Sequence, residues 1–205
     1  NGDLILDLFD PITSVSNIEL SIICHNRNRL EETIVVISNT AYVSYTSHAI
    51  NDQQGNGNGM PDYGEDMMLS IELTNIGNQD ANNVNVFLTS SDPYVSITDS
   101  TEFYGNFTAG QSITIADGFA VTLSDTIPDN YKVYFTLRAE GSETWISTFY
   151  MVACAPQLAF NGFLIDDTGS GNGNGILDPG ETASLIIYPV NNGHSTAYNL
   201  DNIIS

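Results

Sequence analysis

The feature that most constrains this chain is a repeat. The run Gly55-Asn56-Gly57-Asn58-Gly59-Met60-Pro61-Asp62-Tyr63-Gly64-Glu65 returns as Gly171-Asn172-Gly173-Asn174-Gly175-Ile176-Leu177-Asp178-Pro179-Gly180-Glu181, from position 55 to position 171, an offset of 116 residues. The match continues downstream at the same offset. Leu69 and Ile71 answer to Leu185 and Ile187, Asn75 and Gly77 to Asn191 and Gly193, and Ala81 and Asn83 to Ala197 and Asn199. A repeat of this length is one folded unit rather than a solenoid turn, and it matches the size of a β-sandwich domain. One complete unit is therefore expected over residues 40–155 and the start of a second, truncated one over 156–205. Residues 1–39 fall outside the repeat and read as the closing strands of a preceding domain.

The strand pattern agrees with that division. Short β-rich runs occur at 42–50, 68–74, 84–89, 94–98, 112–115, 119–124, 132–139 and 144–152, separated by turn-forming clusters such as Asn75-Ile76-Gly77-Asn78, Ser91-Asp92-Pro93 and Ala116-Asp117-Gly118. Three more runs, 3–9, 18–24 and 33–38, precede the unit. The expected fold is all-β, made of tandem antiparallel immunoglobulin-like β-sandwich domains.

The charge balance excludes some partners. Four Lys and Arg against 25 Asp and Glu give a formal net charge of −21. Binding to nucleic acid or to an anionic membrane surface needs basic patches that this composition cannot build. No apolar run reaches the length of a membrane span. No secretory leader is visible at Asn1-Gly2-Asp3, so export would require one upstream. Cys24 and Cys154 lie in separate apolar strand contexts and read as buried free thiols rather than a disulfide.

The repeated loop carries the chemistry. Calcium takes six to eight oxygen ligands, and short loops rich in Asp, Asn and Gly supply them. With Gly59 at the sixth place of a twelve-residue calcium loop, Asn56 falls at place 3 and Asn58 at place 5. The Met60 carbonyl is then at 7, Asp62 at 9 and Glu65 at 12. The second copy gives Asn172, Asn174, the Ile176 carbonyl, Asp178 and Glu181. Place 1 holds Gln54 or Ser170, so an upstream residue is needed: Asn51 or Asp52 in the first loop, Asp166 or Asp167 in the second. The flanks are strands, so this is a ligand loop spliced between two strands. A loop after the first strand lies at the pole facing the next domain, where a bound ion would stiffen the domain or its junction. Two copies with the same acid offsets favour an ion over a merely solvated Asn/Gly turn.

The run from Ser16 to Asn26, followed by Thr33-Ile34-Val35-Val36-Ile37, resembles the last strands of the Ig-like domain that follows the catalytic domain in gingipain-type cysteine peptidases. Residues 171–182 are similar to the repeated β modules of large secreted proteins of Bacteroidetes, as is the pattern Asn75-Ile76-Gly77 with Ala81-Asn82-Asn83-Val84. The resemblance implies a secreted or surface protein with its catalytic domain upstream. It carries no activity onto any residue of this chain.

An enzyme reading finds little support. Cys24 and His25 are neighbours on a strand and point to opposite faces. His48 and His194 are expected to face solvent, and no spacing singles out a pair of acids. Asn106-Phe107-Thr108 fits a glycosylation acceptor, which means little in a bacterial protein. The expected role is a structural spacer whose partners are neighbouring domains of the same chain. An adhesin module binding an extracellular protein or glycan is the alternative, with Tyr42, Tyr45, Tyr94, Tyr104, Trp145 and Tyr150 as candidate stacking rings. Alternation along 144–152 places Trp145 and Phe149 in the core instead.

Overall fold

A computed structural model describes residues 16–22, 30–36 and 39–200. No helix occurs among them. Ahead of the repeat, β1 (Ser16–Ile22) and β2 (Leu30–Val36) pair antiparallel, with Ile18 opposite Ile34. The expected strand at 3–9 and the Cys24-His25 pair lie outside the described residues.

The complete unit holds eight strands: β3 (Val43–Asn51), β4 (Asp66–Asn75), β5 (Ala81–Thr89), β6 (Val95–Asp99), β7 (Thr101–Phe107), β8 (Ser112–Leu123), β9 (Tyr131–Glu140) and β10 (Thr144–Ala153). They form two four-stranded antiparallel sheets, β3-β4-β8-β6 and β10-β9-β5-β7. Without β7, the chain order of these strands is A-B-E-D on one sheet and G-F-C on the other, the immunoglobulin arrangement. The additional β7 lies between D and E in sequence and extends the second sheet beside the C strand.

Period-two alternation places the core between the sheets. Met67, Leu69, Ile71 and Leu73 of β4 face Val133, Phe135, Leu137 and Ala139 of β9 across it, and all are buried. Phe107, Phe119 and Phe135 are the largest fully buried side chains. Phe149 stacks on both Phe135 and Tyr45, with ring centroids 5.1 and 4.9 Å away. Trp145 is buried and its indole N–H donates to the Ala41 carbonyl at 3.1 Å.

Two elements differ from the sequence pattern. The Ala116-Asp117-Gly118 stretch, expected as a turn between two strands, is a bulge inside the single long β8. Leu69 faces Phe119 while Ile71 faces Ile115, and Asp117 bulges outward at φ 51°. The Asp117 N–H donates to the Ser70 hydroxyl at 2.9 Å, which replaces the lost ladder bond. The second difference is β7, absent from the expected strand set. Gly105 at φ 79° and two register shifts against β5 break its alternation. It nevertheless buries Tyr104, whose hydroxyl donates to the Ile71 carbonyl at 2.8 Å.

The second unit begins with β11 (Leu158–Asp166) and β12 (Ser184–Asn191), an antiparallel pair that repeats β3 and β4. Leu158 opposes Asn191 as Val43 opposes Asn75, and one-residue bulges follow Phe160 and Tyr45, its counterpart. The correspondence runs at 115 residues before the loop and 116 after it. The second loop is therefore one residue longer between Asp167 and Gly171 than the first is between Asp52 and Gly55.

Candidate metal centre

The loop between β3 and β4 is folded by its own side chains. The carboxylate of Asp52 accepts the Gly59 N–H at 2.8 Å. Asn56 Oδ1 accepts the Asn58 N–H at 3.0 Å, and Asn58 Oδ1 accepts the Met60 N–H at 2.7 Å, so each Asn closes a turn two residues ahead. The two oxygens of Glu65 accept the N–H groups of Asn56 and Asp62, at 2.9 and 3.2 Å. Both Asn side-chain amides donate to Asp62 Oδ2, at 2.5 and 2.8 Å. Gly57 and Gly59 sit at φ 70° and 78°, the left-handed region that these wraps require.

The second loop repeats this network. Asp167 accepts from Asn174 and Gly175, Glu181 from Asn172 and Asp178, and Asp178 from the amides of Asn172 and Asn174. Sequence alone left open which upstream residue joins each loop. Asp52 and Asp167 join, at 2% and 1% exposure. Asn51 and Asp166 do not: the Asn51 amide donates to Asp117, and Asp166 accepts from the backbone N–H and hydroxyl of Thr168. Met60 and Ile176 have solvent-exposed side chains, so their part in a donor set would be through their carbonyls.

The electrostatics of the first loop are unbalanced. Asp52, Asp62 and Glu65 are all buried, and no ion pair to them exists among the described residues. Asp62 Oδ1 is buried with no hydrogen-bond partner. Burial, and then the charges of Asp52 and Asp62, push the Glu65 carboxyl above its usual range against the pull of its two backbone donors. An orphaned carboxylate oxygen in a site with three acids and no counter-charge costs free energy, which a cation would offset. Among the described residues no three Asp, Glu, His or Cys side chains stand as a ready metal cluster. A complete coordination shell would have to draw on the Asn amide oxygens and backbone carbonyls as well.

The loop also contacts the chain beyond β10. Asp62 forms a parallel bridge with Cys154, just after that strand: the Cys154 N–H donates to the Pro61 carbonyl and the Tyr63 N–H donates to the Cys154 carbonyl, both at 2.9 Å. The Tyr63 hydroxyl donates to the Thr196 carbonyl at 3.1 Å. A shallow groove beside the loop is walled by Gln54, Asn56, Asp62 and Tyr63 on one side and by Ser195 and Tyr198 of the second unit on the other. Near it, Asp129 accepts the N–H groups of Ala155 and His194 at 3.0 and 3.2 Å, and lies 2.8 Å from the His194 ring.

Cys154 is a free, half-buried thiol, and burial raises its pKa. Cys24 lies outside the described residues. His194 is exposed, as expected. His48 is not. It lies half-buried against Phe149 at 5.0 Å and hydrogen-bonds the Tyr45 hydroxyl, and burial lowers its pKa. The β3 bulge between Tyr45 and Ser47 shifts the strand's phase and turns His48 toward the core. Of the six candidate stacking rings, Tyr104 and Trp145 are core residues, Tyr42, Tyr45 and Tyr94 are half-buried, and Tyr150 is exposed.

No protein-family model matches the chain, and no curated protein matches it. Three solved structures are similar at low identity. The first is native alpha-2-macroglobulin from Escherichia coli, from domain MG7 to the C-terminus (TM-score 0.41, 14% identity, 63% of this chain). This chain spans 20% of the length of that one. The second is the ASH/PapD-like domain of human CEP192 (TM-score 0.30, 12% identity, 70% of this chain and 96% of that one). The third is the CsuC–CsuE chaperone–tip adhesion subunit complex of Acinetobacter baumannii (TM-score 0.23, 10% identity, 64% and 84%). The likeness concerns the fold alone.

Proposed function

We propose that this chain is a non-catalytic structural module whose two repeated loops each hold a calcium ion, the first of them stiffening the junction with the following unit. In the first loop the donors would be Asp52, Asn56, Asn58, the Met60 carbonyl, Asp62 and Glu65. In the second they would be Asp167, Asn172, Asn174, the Ile176 carbonyl, Asp178 and Glu181. The observation that carries the reading is the buried, unpartnered Asp62 Oδ1 among three buried carboxylates without a counter-charge. Calcium suits an all-oxygen, mixed-donor loop better than magnesium, which holds its waters and wants a tight octahedron. The junction role is supported by the bonds of Pro61 and Tyr63 to Cys154 and of Tyr63 to Thr196. A module of this kind fits a secreted or surface protein, where calcium is plentiful. The sequence likeness of residues 16–37 and 171–182 supports a gingipain-type peptidase, or a related large surface protein of Bacteroidetes, as its parent.

Thermal unfolding with chelator and then with excess calcium tests the reading. A ligand bound only by the folded state adds about 2.7 kcal/mol at a hundredfold excess over its dissociation constant. The midpoint is expected to rise with calcium, and the rise to shrink in the Asp62→Ala, Glu65→Ala double variant. An unchanged midpoint, with no calcium found by elemental analysis of the purified protein, would reduce the loops to ordinary Asn/Gly turns.

A further inference from the structure

The two outer faces of the complete sandwich differ in chemistry. That of β3-β4-β8-β6 is polar, with Asp66, Ser70, Glu72, Thr74, Ser112 and Thr114 along it. The outer face of β10-β9-β5-β7 carries five of the six large apolar side chains that the unit exposes: Phe103, Tyr134, Ile146, Tyr150 and Val152. It also carries Lys132 and Arg138, the only lysine and arginine among the described residues of a chain with 25 acids.

The pairing register arranges these groups in rows across the sheet. Lys132 lies opposite Val152, Tyr134 opposite Tyr150, Thr136 between Thr148 and Thr89, and Arg138 between Ile146 and Phe87. Along β9 the outward sequence is therefore cation, ring, hydroxyl, cation, over about 20 Å at the usual strand rise. Lys132 Nζ lies 4.6 Å from the Tyr150 ring centre, and the Arg138 guanidinium 4.5 Å from that of Phe87. These contacts hold both cations flat on the face. Arg138 is also paired with Glu140, whereas Lys132 has no carboxylate partner among the described residues.

We propose that this face binds an acidic polysaccharide along β9. An extended strip with the unpaired Lys132 at one end, the Glu140-paired Arg138 at the other, rings between them and a row of hydroxyls matches a chain of sugars. Such a chain has apolar faces that stack on rings, hydroxyls that bond to Thr, and carboxylates that meet Lys132 and Arg138. Lys132, which has no carboxylate partner among the described residues, favours an anionic ligand over a neutral one. At physiological salt the acids of the loops and the far sheet are screened over about 8 Å, so the local cations decide the contact.

The test uses the full chain in calcium-containing buffer, with hyaluronan as the probe and dextran as the uncharged control, read by biolayer interferometry on immobilised polymer. Hyaluronan is expected to bind and dextran not. Tyr134→Ala with Tyr150→Ala should weaken binding about tenfold or more. Lys132→Gln with Arg138→Gln should weaken it and flatten its salt dependence. Glu72→Gln, on the opposite face, should leave it unchanged. All these side chains are at least partly exposed, and circular dichroism melts check that the variants stay folded. No binding by the unsubstituted chain, equal binding to dextran, or equal loss in Glu72→Gln overturns the proposal. Concentration-dependent dimerisation that the face variants abolish, without hyaluronan binding, would make this a protein–protein surface and also overturn it.

Discussion

Single residues fix the joints of this molecule. Asn75 is fully buried in the β4–β5 turn, where its Oδ1 accepts the N–H groups of Tyr42 and Gly77 and its amide donates to the Gln79 carbonyl at 2.7 Å. Asn191 does the same work for Gln157, Gly193 and Ser195. Each is followed, two residues on, by a glycine pressed against backbone. A Cβ on Gly77 would lie 2.1 Å from the Thr40 carbonyl oxygen, and one on Gly193 would lie 2.2 Å from that of Ala155. Because main chain cannot swing aside, Gly77→Ala is expected to destabilise the unit by about 1–3 kcal/mol, read as a lower urea midpoint. Gly110→Ala, with open space around it and strain only from its φ of 76°, should cost less.

Asp129 gives a pH prediction at the same scale. Burial pushes its carboxyl up, but the N–H of Ala155 and the ring and N–H of His194 outweigh that and hold it below the usual carboxylate range. A group depressed on folding contributes stability above its unfolded pKa of about 3.9 and loses it as pH falls through the lower folded value. The stability difference between the unsubstituted chain and Asp129→Asn should therefore be present at about pH 5 and shrink toward zero as pH falls below about 4. A difference that grows below about pH 4 would contradict the assignment.

At the scale of elements, the loops are the tightest test of local design. A Cβ on Gly55 would fall 1.8 Å from Glu65 Oε1. Gly55→Ala must displace the carboxylate that ties Asn56 to Asp62, and is expected to abolish most of the calcium-dependent rise in melting midpoint while leaving the sheets intact by far-ultraviolet circular dichroism. Truncating a sheet residue does the reverse. Phe119→Ala should cost about 3–5 kcal/mol with and without calcium, since Phe119 is fully buried in the sandwich core and is no loop donor.

The strands were legible in proportion to their regularity. β4, β9 and β10 alternate with little interruption, so period two alone finds them. β7 was hidden because Gly105 and the slips against β5 destroy its alternation, and β8 was cut in two because Asp117-Gly118 carries the composition of a turn. The side chains that fold the loops were legible because two copies share one spacing. The choice of Asp52 over Asn51 was not, since it depends on which side chain the end of β3 turns inward. The cationic face was out of reach as well: Lys132, Tyr134 and Tyr150 converge only through the β9–β10 register.

On the scale of the whole molecule, the first loop belongs to the complete unit, yet its Pro61 and Tyr63 bond to residues on the path into the next one. Calcium removal is expected to increase the spread of angles between units, seen as a larger radius of gyration by small-angle X-ray scattering. Tyr63→Phe, which removes the bond to Thr196, should enlarge it modestly even with calcium present. Equal scattering profiles with calcium and with chelator would confine the ion's effect to the interior of its own unit.

The bridge between Asp62 and Cys154 has a mechanical consequence. Tension drawn along the chain leaves the complete unit through Ala153 and Cys154, and the two bonds that clamp Cys154 to Pro61 and Tyr63 run side by side across that line. Parallel bonds loaded across their length must break together, whereas a strand peeled from its end loses them one by one. The clamp is built on the loop that three carboxylates hold in shape, so an ion held there as proposed would make the force needed to pull one unit from the next a function of the calcium around it.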